Sequence, residues 1–342
     1  MNAPRFVKLT RRDFIRASAA AAAGLAAGPA AASLAGRTLE AGEQAGSPAR
    51  TTVALIKTTD RKRGVEEAMK LLKVPSLKGK RVLIKPNFNT ADPTPGSTHN
   101  DTLAALVVEL KKRGPASLVL GERSGPPETK KVMEEKGIFE IAKSLGFGIV
   151  NFEELAEADW VPVNPPGNHW ESGFFLPRPV VESDCLVSTC CLKTHAHGGV
   201  FTMSLKLAVG MTPKKLMRQL HRSPDQRRMI AEINQGYKPS LIVLDGVEAF
   251  VDGGPSQGKL VAAGVFIAGS DRVAVDAVGL AVLKDLGSNE AIMKTKIFEQ
   301  EQIARAVEVG LGVSGPAGIA FVTPDKASAD YAGKLKGILA QG

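Results

Sequence analysis

The sequence predicts an α/β protein with a mostly parallel sheet flanked by helices, and three observations carry that expectation. Short apolar, β-branched runs recur along the chain, stretches of helical periodicity separate them, and glycine, proline, asparagine or aspartate follows several of the runs. Crossover connections between parallel strands produce this rhythm. The expected strands are 52–56, 81–84, 117–120, 148–150, 185–188, 241–244 and 265–267. Helices are expected between them at 65–72, 102–112, 128–136, 139–145, 225–235 and 273–286. The helix at 225 is well punctuated: Ser223 suits a cap, Pro224 a first turn and Gly236 an end. Asp271 is placed to start the helix running to Leu286. The rhythm breaks at 160–179, where Pro162, Pro165, Pro166, Pro177 and Pro179 mark an irregular excursion and a candidate boundary between two lobes within an α/β domain spanning 51–342.

The opening of the chain has a different character. Thr10-Arg11-Arg12-Asp13-Phe14-Ile15-Arg16 precedes an uncharged, alanine-rich run over 17–35, with small residues at Ala30-Ala31-Ala32 and Ser33-Leu34-Ala35. A basic segment, an apolar segment and a small-residue cleavage region resemble a twin-arginine signal peptide. Residues 1–35 are expected to be that signal and 36–50 a flexible lead-in. The expected partner is the twin-arginine translocase, and the expected location is periplasmic or otherwise extracytoplasmic. Alanine and glycine supply little transfer free energy, so the run is not expected to be a stable membrane anchor. Folding before export also raises the possibility of a cofactor loaded in the cytoplasm.

The formal net charge is +9, but Arg5, Lys8, Arg11, Arg12 and Arg16 against Asp13 supply +4 of it, leaving about +5 for the rest. With only two tryptophans and two tyrosines for base stacking, nucleic acid is not an expected partner. A small anionic ligand fits a mild cationic excess better. Three cysteines are too few for a disulfide framework, and they fall short of the four that an iron–sulfur cluster ordinarily takes.

Three loops follow expected strands, where ligands gather in open α/β sheets. In the first, Lys85-Pro86-Asn87, the proline cannot continue a ladder, so the chain leaves the sheet with an ammonium and an amide at its tip. The second runs Cys190-Cys191-Leu192-Lys193-Thr194-His195-Ala196-His197-Gly198-Gly199 and leads to Thr202 and Lys206 on a helix. The third begins at Asp245 and continues through Gly254, Pro255 and Gly258, where backbone N–H groups can face an anion or simply close a tight turn. Lys85, Lys193, Lys206 and His195 are candidates for a cationic pocket, or else ordinary solvated side chains. His195 and His197, two residues apart, can face one way on an extended segment. With Asp245 or a neighbouring cysteine they form a candidate site for a divalent transition metal.

These pieces together resemble the bacterial and archaeal family called domain of unknown function 362. The matching residues are Lys85-Pro86-Asn87, Leu192-Lys193-Thr194-His195 with Thr202, Lys206 and Gly210, Asp245 with Gly254-Pro255 and Gly258, and Ser270-Asp271-Arg272-Val273-Ala274-Val275-Asp276-Ala277. The likeness covers roughly 80–285 and implies a shared ligand site without naming a reaction. Family members usually carry asparagine after the lysine of the helix, where this chain has Leu207. Many also carry a ferredoxin-like run of cysteines, whereas no cysteine follows Cys191 here.

Two functional readings follow. One is an exported enzyme acting on a small anionic substrate, with His195, Lys193 and Asp245 as catalytic groups and Lys85, Asn87, Thr202, Lys206, Gly254 and Gly258 holding the ligand. The other is a non-catalytic anion-binding or cofactor-handling protein, or one associated with redox or iron–sulfur chemistry.

Overall fold

The computed structural model describes residues 50–341. The expected signal peptide and nearly all of the lead-in therefore lie outside the described residues. In chain order the strands are β1 (Thr51–Lys57), β2 (Arg81–Lys85), β3 (Ser117–Glu122), β4 (Gly148–Asn151), β5 (Trp160–Val163), β6 (Phe174–Pro177), β7 (Cys185–His195), β8 (Val200–Thr202), β9 (Leu241–Gly253), β10 (Gly258–Gly269) and β11 (Ile319–Val322). The helices that matter to packing and to the site are α1 (Arg61–Leu71), α2 (Asn100–Lys111), α3 (Thr129–Glu135), α4 (Ile138–Leu145), α5 (Ser204–Leu207), α6 (Gln226–Ile233), α7 (Arg272–Asp285), α8 (Glu301–Glu308) and α9 (Lys326–Gln341).

A nine-stranded sheet runs in the order β11-β1-β10-β9-β7-β2-β3-β4, with β8 attached to β7. Only β10 and β8 run against the other strands. The sheet is buried on both faces, as parallel sheets covered by helices are. Successive residues of a strand point to opposite faces, so Val53 and Leu55 enter the core cluster that holds α7, while Ala54 and Ile56 enter the one that holds α1 and α2.

Every expected strand lies within an observed one, but β7, β9 and β10 run further than the sequence suggests. Asp245-Gly246 reads as the end of a strand. Instead, β9 carries on past it to Gly253 and turns directly into β10. The strand survives because the Asp245 carboxylate is satisfied inside the protein, accepting from Arg61 Nε at 3.0 Å, Thr102 Oγ1 at 2.6 Å and Val247 N at 3.1 Å. A buried carboxylate with three donors does not need solvent.

The proline-rich excursion forms its own small sheet, β5 with β6, in which Pro162 pairs with Phe175 and Trp160 with Pro177. A two-stranded sheet is all edge, which tolerates proline. It is tied down through a third cluster that joins Trp170, Phe174 and Leu176 to Leu83 of β2, Leu186 of β7 and Met229 of α6. The described residues belong to one compact unit. The helix ends follow the sequence with one shift. Asp271 caps α7 by accepting from Val273 N and Ala274 N, each at 2.9 Å. Ser223 accepts from Asp225 N, while the cap position of α6 falls to Asp225.

Candidate functional site

Parallel strands that end at one edge bring their carboxyl-end loops together. β2 ends at Lys85, β3 at Glu122 and β7 at His195, while the turn after β9 carries Pro255. These loops and α5 enclose a cavity of about 60 Å³ lined by Lys85, Asn87, Glu122, Arg123, Lys193, His195, Thr202, Lys206, Leu207, Gly210 and Pro255, among others. The three lysines singled out in the sequence therefore converge. Four cationic side chains share the cavity with one carboxylate.

Each cation is held differently. Lys85 is buried and forms an ion pair with Glu122 in close contact, and it also donates to the Pro86 carbonyl at 2.7 Å. Glu122 accepts in addition from Phe88 N at 2.7 Å and Arg123 N at 2.8 Å. Burial pushes the Lys85 ammonium down and the Glu122 carboxyl up, with the ion pair opposing both. Wherever the shared proton sits, this pair adds no net charge. Arg123 donates to the carbonyls of Thr212, Ser124 and Val209, and burial lowers it to about 10. Lys193 is fully buried, donates to the carbonyls of Gly96 at 2.6 Å and Pro255 at 2.8 Å, and is lowered to about 8, chiefly by burial. Lys206 is also lowered to about 8, first by burial and then by Lys193 and Arg123.

His195 accepts from the backbone N–H of His197 through Nδ1 at 3.2 Å. In the neutral ring the proton then sits on Nε2, which is left as a donor. Burial, followed by the positive charges of Lys206 and Lys193, drives its pKa far below the ordinary histidine value. The ring is neutral at physiological pH, so it offers a hydrogen bond rather than a titrating proton.

Thr202, Lys206 and Gly210, four residues apart, all line the cavity. Local structure explains the spacing. β8 pairs Thr202 with Lys193, and the chain then turns into α5, whose first N–H groups at Ser204 and Leu205 are bound by the buried carboxylate of Asp276 at 2.7 and 2.9 Å. Asp276, lifted to about 7 by burial, thus fixes the turn that carries Lys206. Glycine is needed at 210, because a Cβ there would lie 2.9 Å from Lys85 Nζ and 3.1 Å from Glu122 Oε1. Thr202 Oγ1 is buried without a hydrogen-bond partner. The Asn87 side-chain nitrogen likewise lacks a partner of ordinary geometry; it lies near the Cys191 thiol and lowers that thiol's pKa slightly, against the burial that lifts it to about 11.

Other expected site residues lie elsewhere. Asp245 does not line the cavity; its carboxylate is bound to Arg61 and Thr102. His195 and His197 stand edge to face, ring centroids 5.8 Å apart, but Asp245 is not brought to them, and no group of three or more metal-ligating side chains occurs among the described residues. Cys185, Cys190 and Cys191 are free, buried thiols. Gly254 and Gly258 have a structural reason for being glycine. Gly254 adopts φ +77°, its Cβ would fall 2.1 Å from the Thr194 carbonyl oxygen, and its N–H is already bound to the Gln257 carbonyl at 2.6 Å. A Cβ on Gly258 would fall 2.3 Å from the Asp252 carbonyl oxygen. Glu122 and Arg123 were not singled out in the sequence. Their only signal is position, just past the carboxyl end of the expected strand 117–120, two and three residues beyond it.

One family profile matches residues 82–281, a span that contains every residue lining the cavity, and its description is Domain of unknown function (DUF362). The chain belongs to that family. A thylakoid-associated protein of Synechocystis, sll1697, is 27% identical over 214 residues, covering 60% of this chain and 64% of that protein. The match thus spans just under two thirds of the relative's length. Among solved structures, the lactate racemase apoprotein of Thermoanaerobacterium thermosaccharolyticum is similar at 14% identity and TM-score 0.42, over 82% of this chain and 85% of that one. A Thermotoga maritima protein is similar at 13% identity and TM-score 0.44, over 66% and 57%. Leu207 sets an apolar side chain, 4% exposed and packed in the core, on the cavity wall.

Proposed function

We propose that the cavity at the carboxyl end of β2, β3 and β7 binds a small anion, a carboxylate or phosphate group, as the substrate-recognition site of an exported enzyme. The observation that carries this reading is the charge balance. Glu122 neutralises Lys85, which leaves Arg123, Lys193 and Lys206 around one small space with no second carboxylate among the described residues lining it. Like charges so placed repel unless an anion offsets them. Lys193 and Lys206 would supply the charge, while the Nε2–H of His195 and the unpartnered Thr202 hydroxyl would supply directed hydrogen bonds. With Lys206 close to its neutral form near pH 8, the same site has an acid–base group beside the ligand.

The test is a thermal-shift and urea-unfolding screen with phosphate, sulfate and acetate. An anion that binds only the folded state raises stability by about 2.7 kcal/mol at a hundredfold excess over its dissociation constant. Lys193→Ala and Lys206→Ala should each lose most of that gain. Equal stabilisation of the native protein and both variants would refute the assignment. Export is proposed on the paired arginines at 11 and 12. Replacing both by lysine should trap the chain on the cytoplasmic side, and undiminished appearance of the mature protein across the membrane would exclude the twin-arginine route.

A further inference from the structure

Three of the four cations in the cavity are already engaged. Lys85 is bound by Glu122 and the Pro86 carbonyl, Lys193 by the carbonyls of Gly96 and Pro255, and Arg123 by three carbonyls. The Lys206 ammonium makes no hydrogen bond or ion pair to any described residue, although the residue is only 8% exposed. A lysine whose work is to hold a charge in place is ordinarily seated by acceptors, since its ammonium has three protons to satisfy. Lys206 is instead held by its stem and its backbone. Gly199 makes room for the stem, because a Cβ there would come 2.6 Å from Lys206 Cε and 3.3 Å from His195 Cγ. The backbone is fixed by Asp276 on the N–H groups of Ser204 and Leu205, and by Asn234 Nδ2 on the Leu205 carbonyl at 3.0 Å.

Resting on the anion-site reading, we propose that Lys206 is a nucleophilic amine that forms a Schiff base with a small carbonyl compound bearing a carboxylate, a 2-oxo acid in chemical class. The neutral Nζ adds its lone pair to the carbonyl carbon, and the proton released from nitrogen passes to the carbonyl oxygen to give a carbinolamine. Loss of one water then forms the C=N bond, and a proton from solvent makes it the iminium. No oxidant or reductant is needed. Lys193 is the cation for the substrate carboxylate, and the Nε2–H of the neutral His195 faces the oxygen that leaves as water. Desolvation beside other cations is the standard route to a reactive lysine. With Lys206 lowered to about 8, roughly a quarter of it is unprotonated at pH 7.5, against about one part in a thousand for an ordinary lysine.

The experiment uses the full mature protein with glyoxylate and cyanoborohydride at pH 7.5, so that any imine is trapped as a carboxymethyl-lysine, followed by peptide mapping. Propanal serves as the uncharged comparison and phosphate as the competitor. Lys206 is expected to be modified at least tenfold faster than the chain's exposed lysines, with glyoxylate preferred over propanal and phosphate slowing the reaction. Lys206→Arg keeps the cation but not the primary amine. It should lose the fast adduct while still unfolding cooperatively, which identifies the Lys206 amine and not its charge as the reacting group. Modification of Lys206 no faster than that of surface lysines, with the phosphate response intact, overturns the nucleophile and leaves the anion site standing. Fast modification by propanal and glyoxylate alike, indifferent to phosphate, supports the nucleophile and removes the anion reading.

Discussion

Replacing Lys206 by methionine should stabilise the anion-free protein, an unusual sign for a change in a candidate binding site. Methionine keeps the length and the apolar stem while removing the ammonium, which has no acceptor among the described residues. The magnitude follows from the fall of the Lys206 pKa from 10.5 to about 8. At 1.36 kcal/mol per tenfold in proton affinity, the charged form is disfavoured in the folded state by about 3 kcal/mol. The sign with pH is fixed by linkage. Between pH 8 and 10.5 the unfolded chain binds this proton and the folded chain does not, so stability rises as pH is raised through that window. Below pH 8 both states are protonated and the native protein bears the whole penalty. The variant should therefore be more stable by about 3 kcal/mol at pH 7, with the difference shrinking toward pH 10. Urea unfolding followed by the fluorescence of Trp160 and Trp170, in buffers free of phosphate and sulfate, measures this directly. A variant less stable than the native protein at pH 7, or a difference that does not change between pH 7 and 10, would refute the account of Lys206 as an unpartnered buried cation.

Glu122→Gln should be destabilising by about 3–5 kcal/mol in the same assay, because it leaves Lys85 buried opposite a neutral amide. Gly254→Ala should destabilise by at least about 2 kcal/mol, since it combines a left-handed φ with a clash against the Thr194 carbonyl, a backbone group of β7 that cannot rotate away. Thr202→Val should change stability in the absence of anion by less than about 1 kcal/mol, because the hydroxyl it removes has no partner, yet it should weaken the response to phosphate in a thermal-shift titration.

Most of the architecture was legible because burial on both faces leaves apolar runs that periodicity detects. The seven expected strands and six expected helices lie on observed elements. The misses have local causes. β5 and β6 contain prolines that argue against strands, and their pairing depends on Trp170 and Phe174 packing against Met229, a contact between residues far apart in sequence. β11 is only four residues long and gains its definition from parallel pairing with β1. The site was legible to the extent that its residues sit at strand tips. Lys85, Lys193, Lys206, His195, Thr202 and Asn87 all line one cavity. Asp245 was placed with them by its apparent strand-end position, and the structure moves it to Arg61 and Thr102 because the strand does not end there.

Glu122 is the omission with the largest consequence, and it changes how the lysines are understood. From sequence, Lys85, Lys193 and Lys206 are three equivalent cations. In the fold, Glu122 removes Lys85 from the ledger of free charge, and it does so while also binding the N–H groups of Phe88 and Arg123, so it fixes the loops after β2 and β3 together. Lys193 is similarly committed, since its two carbonyl partners belong to the loop before α2 and to the β9–β10 turn. Both residues therefore assemble the cavity as well as charge it. Lys206 has no such structural commitment through its nitrogen, and the alanine variants should separate the two roles. Lys193→Ala is expected to loosen the Gly96 and Pro255 segments, seen as faster amide hydrogen exchange there, whereas Lys206→Ala should leave that exchange unchanged while losing the anion response. Equal loosening in both variants would show that Lys206 is a structural lysine, and the distinction that gives it a chemical role would fall.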